Sequence, residues 1–160
     1  MVQRKGVSVL KDGNPGSIGY GIDRAFAKEG ANLVITGRNE ATVRRVVDAA
    51  IEKFCRIDTL VNNAQASASG VTLAEHTMEQ FNLAIYSELY AAYLYMQKCY
   101  PYLKETKGSV MNFASGAGLF GNYGQCSYAA AKEGIRGLTR VAATEWGPDG
   151  INVNIVCPLA

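Results

Sequence analysis

Short apolar runs alternate with stretches of helical periodicity along most of this chain. Val7–Leu10, Leu33–Thr36, Thr59–Val61, Ser109–Phe113 and Ile151–Val156 are compact, β-branched-rich runs of strand length. Between the first two, Ile22, Ala25, Phe26 and Glu29 recur at helical spacing, which predicts a helix from Ile18 to Gly30 with the glycine as its stop. Val43, Val46, Val47, Ala50, Ile51 and Phe54 put one apolar stripe on a helix from Ala41 to Phe54. A long helical region follows from Met78 to Leu103, expected to stop near Pro101, and another runs from about Ser127 to Trp146. Strands that alternate with helices imply a parallel sheet covered on both faces. Right-handed crossovers make that sheet doubly wound.

Composition narrows the function classes. The 160 residues suit one domain, are 48 % hydrophobic and carry a scattered net charge of +2. No basic stripe points to nucleic acid, and no apolar run is long enough to cross a bilayer or to serve as a secretion signal. Cys55, Cys99, Cys126 and Cys157 are widely spaced, and the chain has one histidine, so no metal site is expected. Reduced cysteines and the missing signal point to a cytoplasmic protein.

Seventeen glycines are many for this length, and they gather in two places. The first cluster, Gly13-Asn14-Pro15-Gly16-Ser17-Ile18-Gly19, lies between the first strand and the first helix. A turn there lets the backbone approach a pyrophosphate, and the helix N-terminus adds N–H donors; an empty tight turn is the competing reading. At the exit of the second strand stands Arg38, with no carboxylate before Glu40. This favours NADP(H), with NAD(H) possible, because Arg suits a 2′-phosphate where an acid suits a free ribose.

The second cluster frames a candidate catalytic set. Tyr128 and Lys132 are four apart on a helix and share a face, and an ammonium beside a phenol favours the phenolate. Tyr128 then becomes a general acid/base, while Ser115, just past a strand, is placed to hydrogen-bond a substrate oxygen. The same spacing recurs in Ser87, Tyr100 and Lys104. Those residues lie along one helix, where thirteen positions span about 20 Å, so they cannot converge. Gly116, Gly118, Gly121 and Gly124 instead let the chain turn back between Ser115 and Tyr128.

With these residues in place, the chain resembles the short-chain dehydrogenase/reductase family along nearly its whole length. The resemblance rests on the Gly13 to Gly19 turn, Asn62-Asn63-Ala64, Ser115, Tyr128-Ala129-Ala130-Ala131-Lys132 and Asn152-Val153-Asn154 with Cys157-Pro158. It implies a Rossmann-like three-layer α/β/α sandwich, one dinucleotide-binding domain over residues 1–160. It also implies hydride transfer between a nicotinamide and a small carbonyl or alcohol substrate. Cofactor contacts would come from Gly13, Ser17, Ile18, Gly19, Arg38, Asn62, Asn63, Ala64, Tyr128, Lys132 and Pro158. Tyr128 would move the proton, Lys132 would bind the nicotinamide ribose, and Ser115 would orient substrate. A homodimer or homotetramer would form through the helices Met78–Leu103 and Ser127–Trp146. The Ser17–Ile22 run is also similar to enoyl-carrier-protein reductases, but neither Tyr123 nor Tyr128 has the Lys seven positions on that those enzymes place there.

Several positions depart from the family pattern. Asp12 stands where Thr is usual, and Ser17 replaces the middle glycine of the turn. A helix–strand pair is missing after Asn39, which leaves the second strand at a sheet edge. Aligned on Phe81, Glu88 occupies the place of a catalytic Asn. Gln65 and Leu159 replace glycines. The chain ends at Ala160, where the family continues into a substrate loop, so the domain reads as truncated at its C-terminus. These departures support two competing readings, a non-catalytic nucleotide-binding or interaction protein and a degraded remnant.

His76 reads as a surface or satisfied histidine, and Trp146 as a packing anchor. Tyr86, Tyr90, Tyr93 and Tyr95 read as core or interface packing.

Overall fold

The computed structural model describes residues 7–11, 16–36 and 40–159. Five parallel strands form one sheet: β1 (Val7–Lys11), β2 (Asn32–Thr36), β3 (Thr59–Asn62), β4 (Ser109–Phe113) and β5 (Asn152–Val156), in the order β2-β1-β3-β4-β5. The chain therefore winds outward first to one side of β1 and then to the other. The reversal lies between β1 and β3, the crevice where such sheets bind ligands. Among the described residues β2 is an edge strand, as the missing helix–strand pair requires.

The helices are α1 (Ile18–Lys28), α2 (Glu40–Phe54), α3 (Met78–Ala84), α4 (Ala91–Thr106), a short α5 (Gly116–Phe120) and α6 (Cys126–Trp146). Strand alternation sends successive side chains to opposite faces. Leu60 and Val110 point into the larger core, against Val43 and Val47 of α2, Met96 and Leu103 of α4 and Ala142 of α6. Val61, one position from Leu60, and Phe113, three positions from Val110, face the other way and enter a smaller cluster with Ile22 of α1 and Leu33. The layering is thus unequal, with three helices on one face and α1 on the other. Along β5, Asn152, Asn154 and Val156 are exposed.

Local chemistry sets the boundaries. Ser17 caps α1, its hydroxyl accepting from the Tyr20 N–H at 3.1 Å. Gly30 takes φ +80° after the helix, a left-handed turn that glycine adopts without strain. Thr77 and Gln80 form a reciprocal capping box at the start of α3.

Two features of the long central helical region differ from expectation, and helix α5 stands where the glycines predicted only a loop. Helix α4 does not stop near Pro101; it runs on to Thr106. Fully buried Leu103 and the Thr106 hydroxyl, which donates to the Ile57 carbonyl at 2.8 Å, hold the turn after the proline despite its lost N–H. In addition, Ile85–Tyr90 forms a π-helical turn between α3 and α4, in a backbone that stays right-handed helical throughout. Such turns are over-represented at functional sites.

Candidate active site

A cavity of about 760 Å³ opens over the carboxyl ends of β3, β4 and β5 and the N-terminus of α1. That size suits a small-molecule or cofactor site. Ser115, Tyr128 and Lys132 all line it. The chain leaves β4 at Ser115, turns through α5, and comes back as α6, which carries Tyr128 and Lys132 on one face. Gly121 (φ +70°) and Gly124 (φ +68°) permit that return. A Cβ on Gly124 would also sit 3.0 Å from the Gly70 backbone, and the Gly70 N–H donates to the Gly124 carbonyl at 2.9 Å. The Gln65–Gly70 segment is thereby pinned as one side wall.

Lys132 is the most constrained of the three. Its side chain is 3 % exposed. Its Nζ donates to the Phe113 carbonyl at 2.9 Å and lies 3.1 Å from Glu88 Oε2. An ammonium has three N–H donors, so one remains for the cavity. The same Nζ lies 5.3 Å from the centroid of the Tyr128 ring, close enough for its charge to act on the phenol. Ser115 caps α5, accepting from the Ala117 N–H at 3.2 Å, and its own O–H stays available to a ligand.

The residues expected to hold a cofactor fall into four groups. Ser17, Ile18, Asn63 and Pro158 line the cavity beside Tyr128 and Lys132. Gly19 is buried in the first turn of α1. Asn62 and Ala64 are buried beside the cavity, and the Asn62 amide donates to Asn112 Oδ1 at 2.8 Å. Gly13 and Arg38 lie outside the described residues. A dinucleotide fits this arrangement on three grounds: a cavity at the sheet's reversal point, a capped helix N-terminus at one end and an unspent ammonium donor at the other.

Sequence reasoning missed two residues here. Glu88 was marked only as a departure, yet the π-helical turn delivers its carboxylate to Lys132. Asn112, fully buried in β4, accepts from Asn62 and donates to Thr139 Oγ1 at 2.9 Å and towards Met96 Sδ at 3.3 Å. It ties β3, β4, α4 and α6 together beneath the cavity floor. A polar residue inside an apolar strand run was its one visible signal.

The other set with the same spacing does structural work. Ser87 donates to the Ala66 carbonyl at 2.8 Å, while Tyr100 donates to Asp149 at 2.6 Å and Lys104 pairs with Asp149 at 2.8 Å. The hydrogen bond from Lys104, followed by that from Tyr100, holds the Asp149 carboxyl below its ordinary value. His76 Nε2 lies 3.0 Å from Ser127 Oγ, so this histidine has a partner. Trp146 packs on Tyr100 with ring centroids 5.0 Å apart. Tyr95 is a core residue, whereas Tyr86, Tyr90 and Tyr93 are exposed. All four cysteines are free, and no group of metal-ligating side chains occurs among the described residues. No helix among the described residues is long and apolar enough to cross a membrane.

A parallel sheet with this strand order and a cavity over its carboxyl ends defines the doubly wound α/β class. Comparison with known proteins agrees. The family model described as short chain dehydrogenase matches residues 38–160. The 12alpha-hydroxysteroid dehydrogenase of a Clostridium species is 58 % identical over 180 residues, covering 92 % of this chain and 70 % of that protein. The 3-oxoacyl-[acyl-carrier-protein] reductase FabG of Thermotoga maritima is 35 % identical over 79 % of this chain and 50 % of its own length. The crystal structure of Cj0485 dehydrogenase superposes with a TM-score of 0.90 at 26 % identity, covering 98 % of this chain and 69 % of that one. The chain belongs to the short-chain dehydrogenase/reductase family of oxidoreductases. The alignment with the Clostridium enzyme spans 180 positions, whereas 92 % of 160 residues is about 147, so that relative carries additional residues inside the matched span.

Proposed function

We propose that this chain catalyses hydride exchange between NADP(H) and a secondary alcohol or ketone on a steroid-sized apolar skeleton. The observation that carries the reading is the Lys132 ammonium, fixed by the Phe113 carbonyl and Glu88 beside the Tyr128 ring, at the wall of one cavity. Two further observations support the substrate class. One is the 58 % identity to a 12alpha-hydroxysteroid dehydrogenase. The other is the apolar cavity rim, where Phe120 is 74 % and Leu159 is 72 % exposed.

In this reading Ser17, Ile18, Gly19, Asn63 and Pro158 hold the dinucleotide, and the third Lys132 donor binds its ribose. Arg38 supplies the preference for the 2′-phosphate. A nicotinamide held there would supply the hydride chemistry, exchanging hydride with the substrate's carbinol or carbonyl carbon. The Ser115 O–H orients the substrate oxygen. Tyr128 Oη takes the alcohol proton during oxidation and returns it during reduction, and the Lys132 charge steadies the phenolate in between. The exposed Tyr86, Tyr90 and Tyr93 of the α3–α4 rod and Val141 of α6 form an apolar face suited to pairing with a second copy.

A hydroxysteroid panel with NADP⁺, followed through the cofactor's absorbance, tests the activity. Calorimetric titration with NADPH and NADH tests the cofactor preference. Tighter NADPH binding that is lost in Arg38→Ala, with turnover of one hydroxyl position, is the expected result. A folded sample that binds neither cofactor would overturn the reading.

A further inference from the structure

We infer that the segment Gln65–Gly70 is the specificity wall of the cavity, where Ser67 and Ser69 recognise a second, neutral hydroxyl on the substrate. The inference rests on the substrate class proposed above and names the group by which one such substrate is chosen over another.

Alternate residues of this segment, Gln65, Ser67 and Ser69, line the cavity, whereas Ala66 and Ala68 do not. A two-residue period belongs to extended backbone, which sends successive side chains to opposite sides. The segment therefore turns one polar edge to a ligand. Its backbone is held at two places. The Ser87 hydroxyl engages both polar groups of Ala66, accepting from its N–H at 3.3 Å and donating to its carbonyl at 2.8 Å. The Gly70 N–H donates to the Gly124 carbonyl at 2.9 Å, and Val71 bridges to Gln125. The wall is thus preformed, so a ligand that pairs with it does not bear the cost of ordering it.

The anchors also fix which part of a ligand each residue meets. Gln65 follows Asn63 and Ala64, on the dinucleotide side. Ser69 adjoins Gly70, which is tied to Gly124, four residues before Tyr128. Ser67 and Ser69 accordingly face the substrate end, at most about 7 Å apart along the backbone. The apolar side chains gather elsewhere. Leu159 and Phe120 come within 2.6 and 3.7 Å of the place a Cβ on Gly116 would take, over α5. One wall is polar and a separate wall is apolar, which fits a flat apolar skeleton with hydroxyls along one side. Among the described residues that line the cavity, Lys132 alone is charged. A carboxylate or phosphate at the serines would lack a counter-charge, whereas a hydroxyl finds both donors and acceptors there. Ser67 donates to Gln65 Oε1 at 3.3 Å, which leaves its own oxygen to accept from a substrate O–H.

The test compares a steroid whose one hydroxyl is 12α with two relatives that add a further α-hydroxyl, in ring A or in ring B. Wild type is expected to show a kcat/KM at least about fivefold higher for one of the two diols, the gain of one neutral hydrogen bond. In the double variant Ser67→Ala, Ser69→Ala that preference falls to within about twofold of unity. A merely structural defect lowers all three steroids alike and leaves the ratio unmoved. A wild type without the preference, or a double variant that keeps it, would overturn the inference.

Calorimetric titration of the same steroids with NADPH present, where an alcohol is not turned over, measures the preference without chemistry. If no steroid is oxidised but one diol still binds about fivefold more tightly, and only while both serines are present, the proposed function fails and the wall stands. Steroids that bind alike, or not at all, would overturn the wall.

Discussion

Replacing Lys132 by methionine tests the ion pair under the active site. Met has a similar length and no charge, so the substitution leaves the packing nearly filled and strands Glu88, whose side chain is 0 % exposed. Breaking a buried pair by removing one partner costs about 3–5 kcal/mol, because the remaining charge keeps its desolvation penalty. A solvent-exposed pair would cost about 1 kcal/mol or less. For a chain of this size each kcal/mol moves Tm by about 2–4 °C, so K132M is expected to melt about 6–20 °C below wild type at neutral pH. The double variant Lys132→Met, Glu88→Met removes both charges, and the Phe113 carbonyl loses its Lys132 donor. It should recover about half or more of the loss, which a thermal-unfolding cycle of wild type, both single variants and the double variant measures as a coupling energy. A K132M variant within about 1 kcal/mol of wild type, or a double variant that costs the sum of its singles, would refute the reasoning.

Three further outcomes are expected. Asn112→Leu strands the Asn62 amide, which now donates to it at 2.8 Å, and takes a donor from the Thr139 hydroxyl; equilibrium denaturation should show a loss of about 2–4 kcal/mol. Asp149→Asn should melt below wild type at neutral pH. Because the folded carboxyl is held below its ordinary value of 3.8, this contribution is present above that value and is lost as the pH falls through the folded one, so the two melting curves should converge in acid. Cys55 closes α2 with φ +58°, a left-handed conformation that costs a non-glycine residue energy, and Cys55→Gly should raise stability by about 1 kcal/mol in the same denaturation assay.

Much of the fold was legible because its information is local. Apolar runs gave the five strands, periodicity gave the long helices, and Gly30 marked the end of the first helix through its positive φ. The candidate site was legible because Tyr128 and Lys132 need only one helical turn to meet, and the glycines after Ser115 need only a short loop to return. The missed features depend on distance or on small irregularities. Glu88 and Lys132 are far apart in sequence, and one π-helical turn sets their meeting without breaking the apolar pattern. Asn112 finds its partners on another strand and another helix, so its place in an apolar run looked like an exception. Pro101 failed to end α4 because Leu103 and Thr106 are held by tertiary contacts that no local rule contains. Helix α5 was hidden by glycines that also serve the turn.

The most direct test of the central claim compares wild type with Tyr128→Phe in NADP⁺-dependent oxidation of a 12α-hydroxysteroid. Both samples are first shown to be folded by thermal unfolding and to bind NADPH equally by calorimetry. Removing a positioned acid/base should lower kcat by about 10²–10⁴-fold with cofactor affinity unchanged. Equal kcat in the two proteins would contradict the assignment of Tyr128 as the proton-transfer group.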